Sequence, residues 1–152
     1  MMDKKICLVV TLVFVGLTLC FSMSSDAQGP PLPNNINIVS PSPNLPKDIA
    51  AFSGKWAGAW SHGAEIILVV EEIQDTWATV VYSWGATPRF DPGFSRQKCK
   101  VISDSRPKIE WVPKDVRNAH IYFEVQDSNT LVGSQKAGGI HKIHTITLKR
   151  VI

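Results

Sequence analysis

Cysteine is almost missing from this chain, and the little there is sits in the wrong places for a staple. Of three cysteines in 152 residues, Cys7 and Cys20 fall inside an N-terminal apolar run, which leaves Cys99 alone in the remainder. Once that run is removed no intrachain disulfide can form, so the hydrophobic core alone must hold the fold. No Asn-x-Ser/Thr acceptor occurs, and helical periodicity is nearly absent. There is no Gly-x-Ser-x-Gly elbow, no phosphate-cradling glycine loop and no calcium-loop pattern, which removes the commonest hydrolase, nucleotide and calcium signatures. Charge of one sign is also scarce: the formal net charge is +3. Arg96, Lys98 and Lys100 alternate along one segment while Lys149 and Arg150 lie far from them, so no basic stripe forms and no nucleic-acid partner is expected.

What the N-terminus does have is a leader. Lys4 and Lys5 precede an apolar stretch from Ile6 to Phe21, and Ser25-Asp26-Ala27 places small residues at the minus-three and minus-one positions. This is the pattern of a secretory signal peptide, residues 1–27. The run is shorter than a bilayer span and no basic stop-transfer cluster follows, so no stable membrane anchor is expected after cleavage. Leu19 before Cys20 breaks the small-residue pattern of an acylated cysteine. Disulfide-free export fits a bacterial periplasm, or the extracellular space.

Residues 28–46, QGPPLPNNINIVSPSPNLP, are dense in proline and asparagine without sustained period, and read as a mobile linker. Lys47 to Phe52 can make one helical turn, with Ile49 and Phe52 closing one end of a core. The domain proper is then 47–152, a single unit.

From Gly54 onward the period is two, broken about every eight to twelve residues, which predicts an antiparallel all-β domain. Eight strands are expected: 55–61, 65–72, 76–84, 96–103, 108–112, 119–126, 130–135 and 140–151. His62-Gly63, Gln74-Asp75, Asp104-Ser105, Asp127-Ser128-Asn129 and Ala137-Gly138-Gly139 supply turns. Eight antiparallel strands joined by hairpins make an up-and-down barrel. Trp56, Gly58 and Trp60 share one face of the first strand, the glycine leaving room for the indoles. Ile146 and Leu148 face inward on the last strand, which is long enough to close against the first. The second strand, from Glu65 to Glu71, is apolar on both faces, so its outer side needs a cover: the linker, the helical turn or a partner, with a homodimer left open.

The segment Phe52-Ser-Gly-Lys-Trp-Ala-Gly-Ala-Trp60, with Leu68-Val-Val-Glu-Glu-Ile73 and Ala78-Thr-Val-Val-Tyr-Ser-Trp-Gly85, resembles a lipocalin-like domain of unknown function from exported bacterial proteins. The match is strongest over 46–88. That family occurs alone or beside hydrolase domains, and the Gly54-x-Trp56 opening is more distantly similar to calycins. The resemblance implies a lipocalin-like barrel that binds a small apolar ligand or blocks an enzyme.

The chemistry-bearing residues do not assemble in sequence. His141 and His144 are three apart, on opposite faces of a strand, while His62 sits in a turn and His120 opens a strand, so no metal site is expected. Glu71 and Glu72 are adjacent on a strand and diverge; Asp75, Asp91, Glu110 and Glu124 form no evident pair for acid–base work. Cys99 alternates with Val101 on the less polar side of its strand and reads as a buried structural thiol. No catalytic residue and no cofactor is expected.

The longest internal connection, Gly85 to Ser95, holds Arg89, Phe90 and Phe94. Loop aromatics of this kind either fold back as a lid or form a lip for a partner. Tyr82, Trp84, Arg89, Phe90 and Phe94 are therefore the expected contact residues, with Trp56, Gly58, Trp60, Ile146 and Leu148 as structural core. The expected function is that of an exported, non-catalytic binding module for a small apolar ligand or a protein at the open barrel end. The alternatives are an accessory or inhibitory domain docking onto an exported hydrolase, and a structural envelope protein.

Overall fold

The computed structural model describes residues 29–113, 120–136 and 143–152. The expected signal peptide, the turn at 137–139 and His141 lie outside the described residues. Eight strands, β1 (Gly54–Trp60), β2 (Glu65–Ile73), β3 (Trp77–Trp84), β4 (Gly93–Ile102), β5 (Lys108–Trp111), β6 (His120–Asp127), β7 (Thr130–Lys136) and β8 (Ile143–Val151), follow one helical turn, α1 (Lys47–Ala50). Each strand pairs antiparallel with the next in sequence, and β1 pairs with β8, closing an up-and-down barrel. The expected all-β architecture is the one observed.

Closure needs β1 and β8 to approach tightly. A Cβ on Gly58 would collide with the Thr147 backbone carbonyl and the Leu148 side chain, so the glycine makes room for the closing strand rather than only for indoles. Gly54, at φ +118°, takes a backbone conformation that L residues rarely adopt where the chain turns from α1 into β1.

Inside the barrel, Trp56, Leu68, Val70, Val80, Ile109, Phe123, Leu131 and Leu148 are buried, and Ile49 and Phe52 from the α1 region plug the lower end. Ile146 and Leu148 are buried, while Thr145, Thr147 and Lys149 are exposed, as alternation requires. The lower end is pinned by Arg150. Its guanidinium lies 4.0 Å from the Trp56 ring and donates to the carbonyls of Ala51 (2.8 Å), Ser53 (2.8 Å) and Ser128 (2.9 Å). Trp56 Nε1 in turn donates to the Phe52 carbonyl at 2.9 Å. First strand, last strand and helical turn are thereby tied at one point.

The second strand's apolar outer face finds its cover in the Pro/Asn-rich segment. Residues 29–40 run along the outside of β2–β4 instead of hanging free as a mobile linker, and Val69 and Val81, on the outer face, are fully buried. Ser83 Oγ donates to the Pro31 carbonyl at 2.5 Å, and Val39 N–H donates to the Glu71 carbonyl at 2.7 Å. A β-bulge lies between Val70 and Glu72. It leaves Glu71 unpaired in the β2–β3 ladder, which frees its carbonyl for this outside partner. Composition misses the contact because isolated proline- and asparagine-rich chain has no period to read.

Candidate functional site

The upper end of the barrel carries the β1–β2 turn, the β3–β4 connection, the ends of β5 and β7 and the starts of β6 and β8. It is lined by aromatic rings. Trp60 Nε1 donates to Tyr82 Oη at 2.9 Å. Tyr82 meets Trp111 edge-on at 5.5 Å between centroids, Trp111 stacks on Phe123 at 5.7 Å, and Phe123 returns to Trp60 at 6.2 Å. This ring of four is a plug across the interior, held by offset and edge contacts that favour aromatic pairs beyond their buried area.

Trp84, also expected as a contact residue, packs 6.2 Å from Tyr82 and donates from Nε1 to the Asp91 carbonyl at 2.9 Å, which draws the β3–β4 connection over the rim. That connection is shorter than the sequence suggests, because β4 begins at Gly93. Phe94 accordingly lies on a strand and not in a loop: opposite Ser83, on the outer face. Pro88 and Arg89 form the tip of a tight turn that Thr87 and Phe90 close by exchanging backbone hydrogen bonds at 2.9 and 3.3 Å. Phe90 is 66% exposed and Phe94 46% exposed, so neither folds back over the barrel as a lid. Trp84 covers the rim instead. Val112 (51% exposed) and Ile143 (60% exposed) stand at the same end, following β5 and opening β8.

Polar groups share this mouth. Ser95 and Gln97 oppose Tyr82 and Val80 and so lie on the inward face of β4, while Gln135 opposes His144 between β7 and β8. All four are half-buried. His62 stacks on Trp60 with centroids 6.5 Å apart and meets the His144 ring edge-on at 4.7 Å. Two of the four histidines therefore converge, contrary to the expectation from spacing, because closure of β1 on β8 brings the β1–β2 turn beside the start of β8. His120, exposed at the start of β6, faces Lys136.

Among the described residues no three of His, Cys, Asp and Glu gather in a metal-holding group. Glu110 sits opposite Lys100 and Glu124 opposite Lys108, each beside a lysine on the outer surface. Glu71 is buried in a bidentate pair with Arg96, at 2.8 and 3.1 Å, and is occupied by structure. Burial pushes the Cys99 thiol up to about 12, which removes the thiolate that nucleophilic chemistry needs. Burial likewise pushes Tyr82 up to about 12, against the opposing pull of the hydrogen bond from Trp60.

These two groups give a pH dependence with a definite sign. Both are acids held neutral in the fold, so their contribution is complete below their unfolded values of 9.0 and 10.0. It is lost as pH rises from there toward 12, on the order of a few kcal/mol at most. Thermal unfolding followed from pH 8 upward should show a falling Tm above about pH 9. Cys99→Ala and Tyr82→Phe should each flatten part of that fall; a wild-type profile that they leave untouched would contradict the assignment.

No family model matches the chain, and no curated protein matches it. The geometry of the upper end and of the closing strand therefore carries the functional reading.

Proposed function

We propose that the chain is an exported, non-catalytic binding module of calycin type, whose contact surface is the upper barrel end and whose partner is a protein. The observation that carries this reading is the combination at one end of a plugged interior and an exposed apolar rim. Trp60, Tyr82, Trp111 and Phe123 occupy the space a deep ligand would need, while Phe90, Val112 and Ile143 stay in water around it. Exposed large apolar groups clustered on a rigid scaffold mark interaction sites, and aromatics are the usual anchors. Arg89 beside Phe90 adds a planar cation able to pair with a carboxylate on the partner. The calycin assignment is supported by the Gly54-x-Trp56 opening and by the closed eight-stranded barrel. An exported hydrolase is the partner class that would make the module accessory or inhibitory.

A second reading keeps a small amphipathic ligand at the mouth. It is favoured by the inward yet half-buried Gln97 and Gln135, whose amides are of the kind that pair with a ligand's polar atoms above the aromatic plug.

The double variant Arg89→Ala, Phe90→Ala separates these. Both side chains are exposed and the turn is held by backbone groups and the Thr87 hydroxyl, so Tm should stay within about 2 °C of the parent. Capture of a partner from the native exported fraction should fall about tenfold or more. Native mass spectrometry of the purified protein reads the alternative, a retained small molecule. Unchanged protein capture by the stable variant would move the contact surface away from this end.

A further inference from the structure

Closure of the barrel sets two imidazoles side by side at its upper end. His62 sits in the β1–β2 turn and His144 near the start of β8, and their rings meet edge-on with centroids 4.7 Å apart. The backbone beneath both is held. Gly63 N–H closes the turn by donating to the Trp60 carbonyl at 2.7 Å, and Ser61 N–H donates across the seam to the Thr145 carbonyl at 2.9 Å, one residue from each histidine. His144 alternates with the buried Ile146 and Leu148, so it faces inward above the aromatic plug.

The spacing is that of two ligands on one ion. Zinc and its neighbours bind an imidazole nitrogen at about 2.0–2.1 Å, which puts each ring centroid about 3.2 Å from the metal. Two rings at a coordination angle between about 90° and 109° then have centroids about 4.5–5.2 Å apart. The observed 4.7 Å falls inside that interval. Binding requires the exposed His62 ring to turn about χ2, a motion that exposed side chains make in picoseconds to nanoseconds. An imidazole has two nitrogens, so a hydrogen bond at one leaves the other to ligate. Gln135 stands directly opposite His144 on the same inward face, where an amide can orient the ligating ring. Lys136, next on that strand, alternates to the outside and keeps its charge off the site.

We propose that His62 and His144 form a binding site for a divalent late transition-metal ion, Cu²⁺ or Zn²⁺, with water in the remaining positions. Nitrogen donors without a carboxylate favour these ions over Ca²⁺ and Mg²⁺, and Cu²⁺ binds the more tightly of the two. Two protein ligands are fewer than a resident zinc centre uses, so the ion exchanges and its open positions face the mouth. Once bound, it ties the β1–β2 turn to β8 across the closing seam, as Arg150 does at the lower end. The site stands whether or not a protein docks on the rim.

Separate calorimetric titrations of CuCl₂ and ZnCl₂ into the untagged protein test it. A single site is expected, and His62→Ala and His144→Ala should each weaken it about tenfold or more, since residues that merely orient a ligand are worth about 10–100-fold. His120→Ala, at the exposed start of β6, should leave it unchanged. Electron paramagnetic resonance of the Cu²⁺ form reads the donors directly: two equatorial nitrogens in the parent, one in His62→Ala. His62 is exposed in a turn, so its variant should keep the parent Tm without metal and carries the test even where His144→Ala does not fold. Absence of binding for both ions overturns the proposal. So does binding that His62→Ala leaves intact, which would place the ion on other donors.

Discussion

Trp56→Ala is expected to lower the free energy of unfolding by about 3–5 kcal/mol, among the largest effects of any single substitution in this chain. The ring is fully buried, and it does three things at once. It fills the barrel just above α1, it satisfies the Phe52 carbonyl through Nε1, and it supports the Arg150 guanidinium at 4.0 Å. Alanine leaves a cavity, an orphaned carbonyl and a cation without its aromatic face. Arg150→Ala, by comparison, keeps the ring and the core volume but removes donors to Ala51, Ser53 and Ser128. Hydrogen bonds from a charged donor are individually worth about 1.5–3 kcal/mol, but the group is partly solvated, so a total near the lower figure is expected. Equilibrium unfolding in urea, monitored by tryptophan fluorescence and circular dichroism, measures both. A cost below about 1 kcal/mol for Trp56→Ala would mean that the lower end of the barrel is not held there.

That junction also marks how far the sequence could be read. Strict alternation in Thr145 to Lys149 gave away the inward face of β8, because a barrel wall has one dry side and its period is two, whereas β2, apolar on both faces, said only that its outer side needed a cover. Closure of the last strand on the first followed from strand number and length. The strand ends were less legible: β4 starts at Gly93 because Trp84 folds over the glycine, a tertiary contact that no local pattern announces, and Phe94 is moved onto the outer wall in consequence.

The arm was misread for the related reason that its order comes from a partner surface. Asn35, Asn37 and Val39 have no amphipathic pattern of their own, and the bulge that exposes the Glu71 carbonyl is invisible in a run reading Val-Val-Glu-Glu. The same holds for His62 and His144, separated by most of the domain and brought together only when β1 closes on β8. Of the candidate contact residues, Tyr82 and Trp84 were findable as inward aromatics near a strand end. Whether Phe90 would be lid or lip was decided by packing, since turn composition is the same for both.

Deleting residues 146–152 should abolish cooperative unfolding. The deletion removes two buried side chains, Ile146 and Leu148, and the Arg150 pin, worth several kcal/mol together by their burial alone. It also strips partners from both neighbours: β1 loses its register with β8 from Lys55 to Trp60, and β7 loses its register from Thr130 to Gly133. Two unpaired edges then face water on a barrel whose walls are rich in valine and isoleucine, the condition that invites edge-to-edge association. Light scattering should rise well below the parent Tm and the melting curve should broaden. Removing the 29–40 arm is the informative contrast. It uncovers Val69 and Val81, so it should lower Tm, yet it leaves all eight strand pairings intact and the transition should stay sharp. Leu148→Ala, at about 2–5 kcal/mol, separates lost packing from lost closure, because it keeps every ladder hydrogen bond. A truncated chain that remains soluble and melts as sharply as the arm deletion would show that the wall is held without its closing strand.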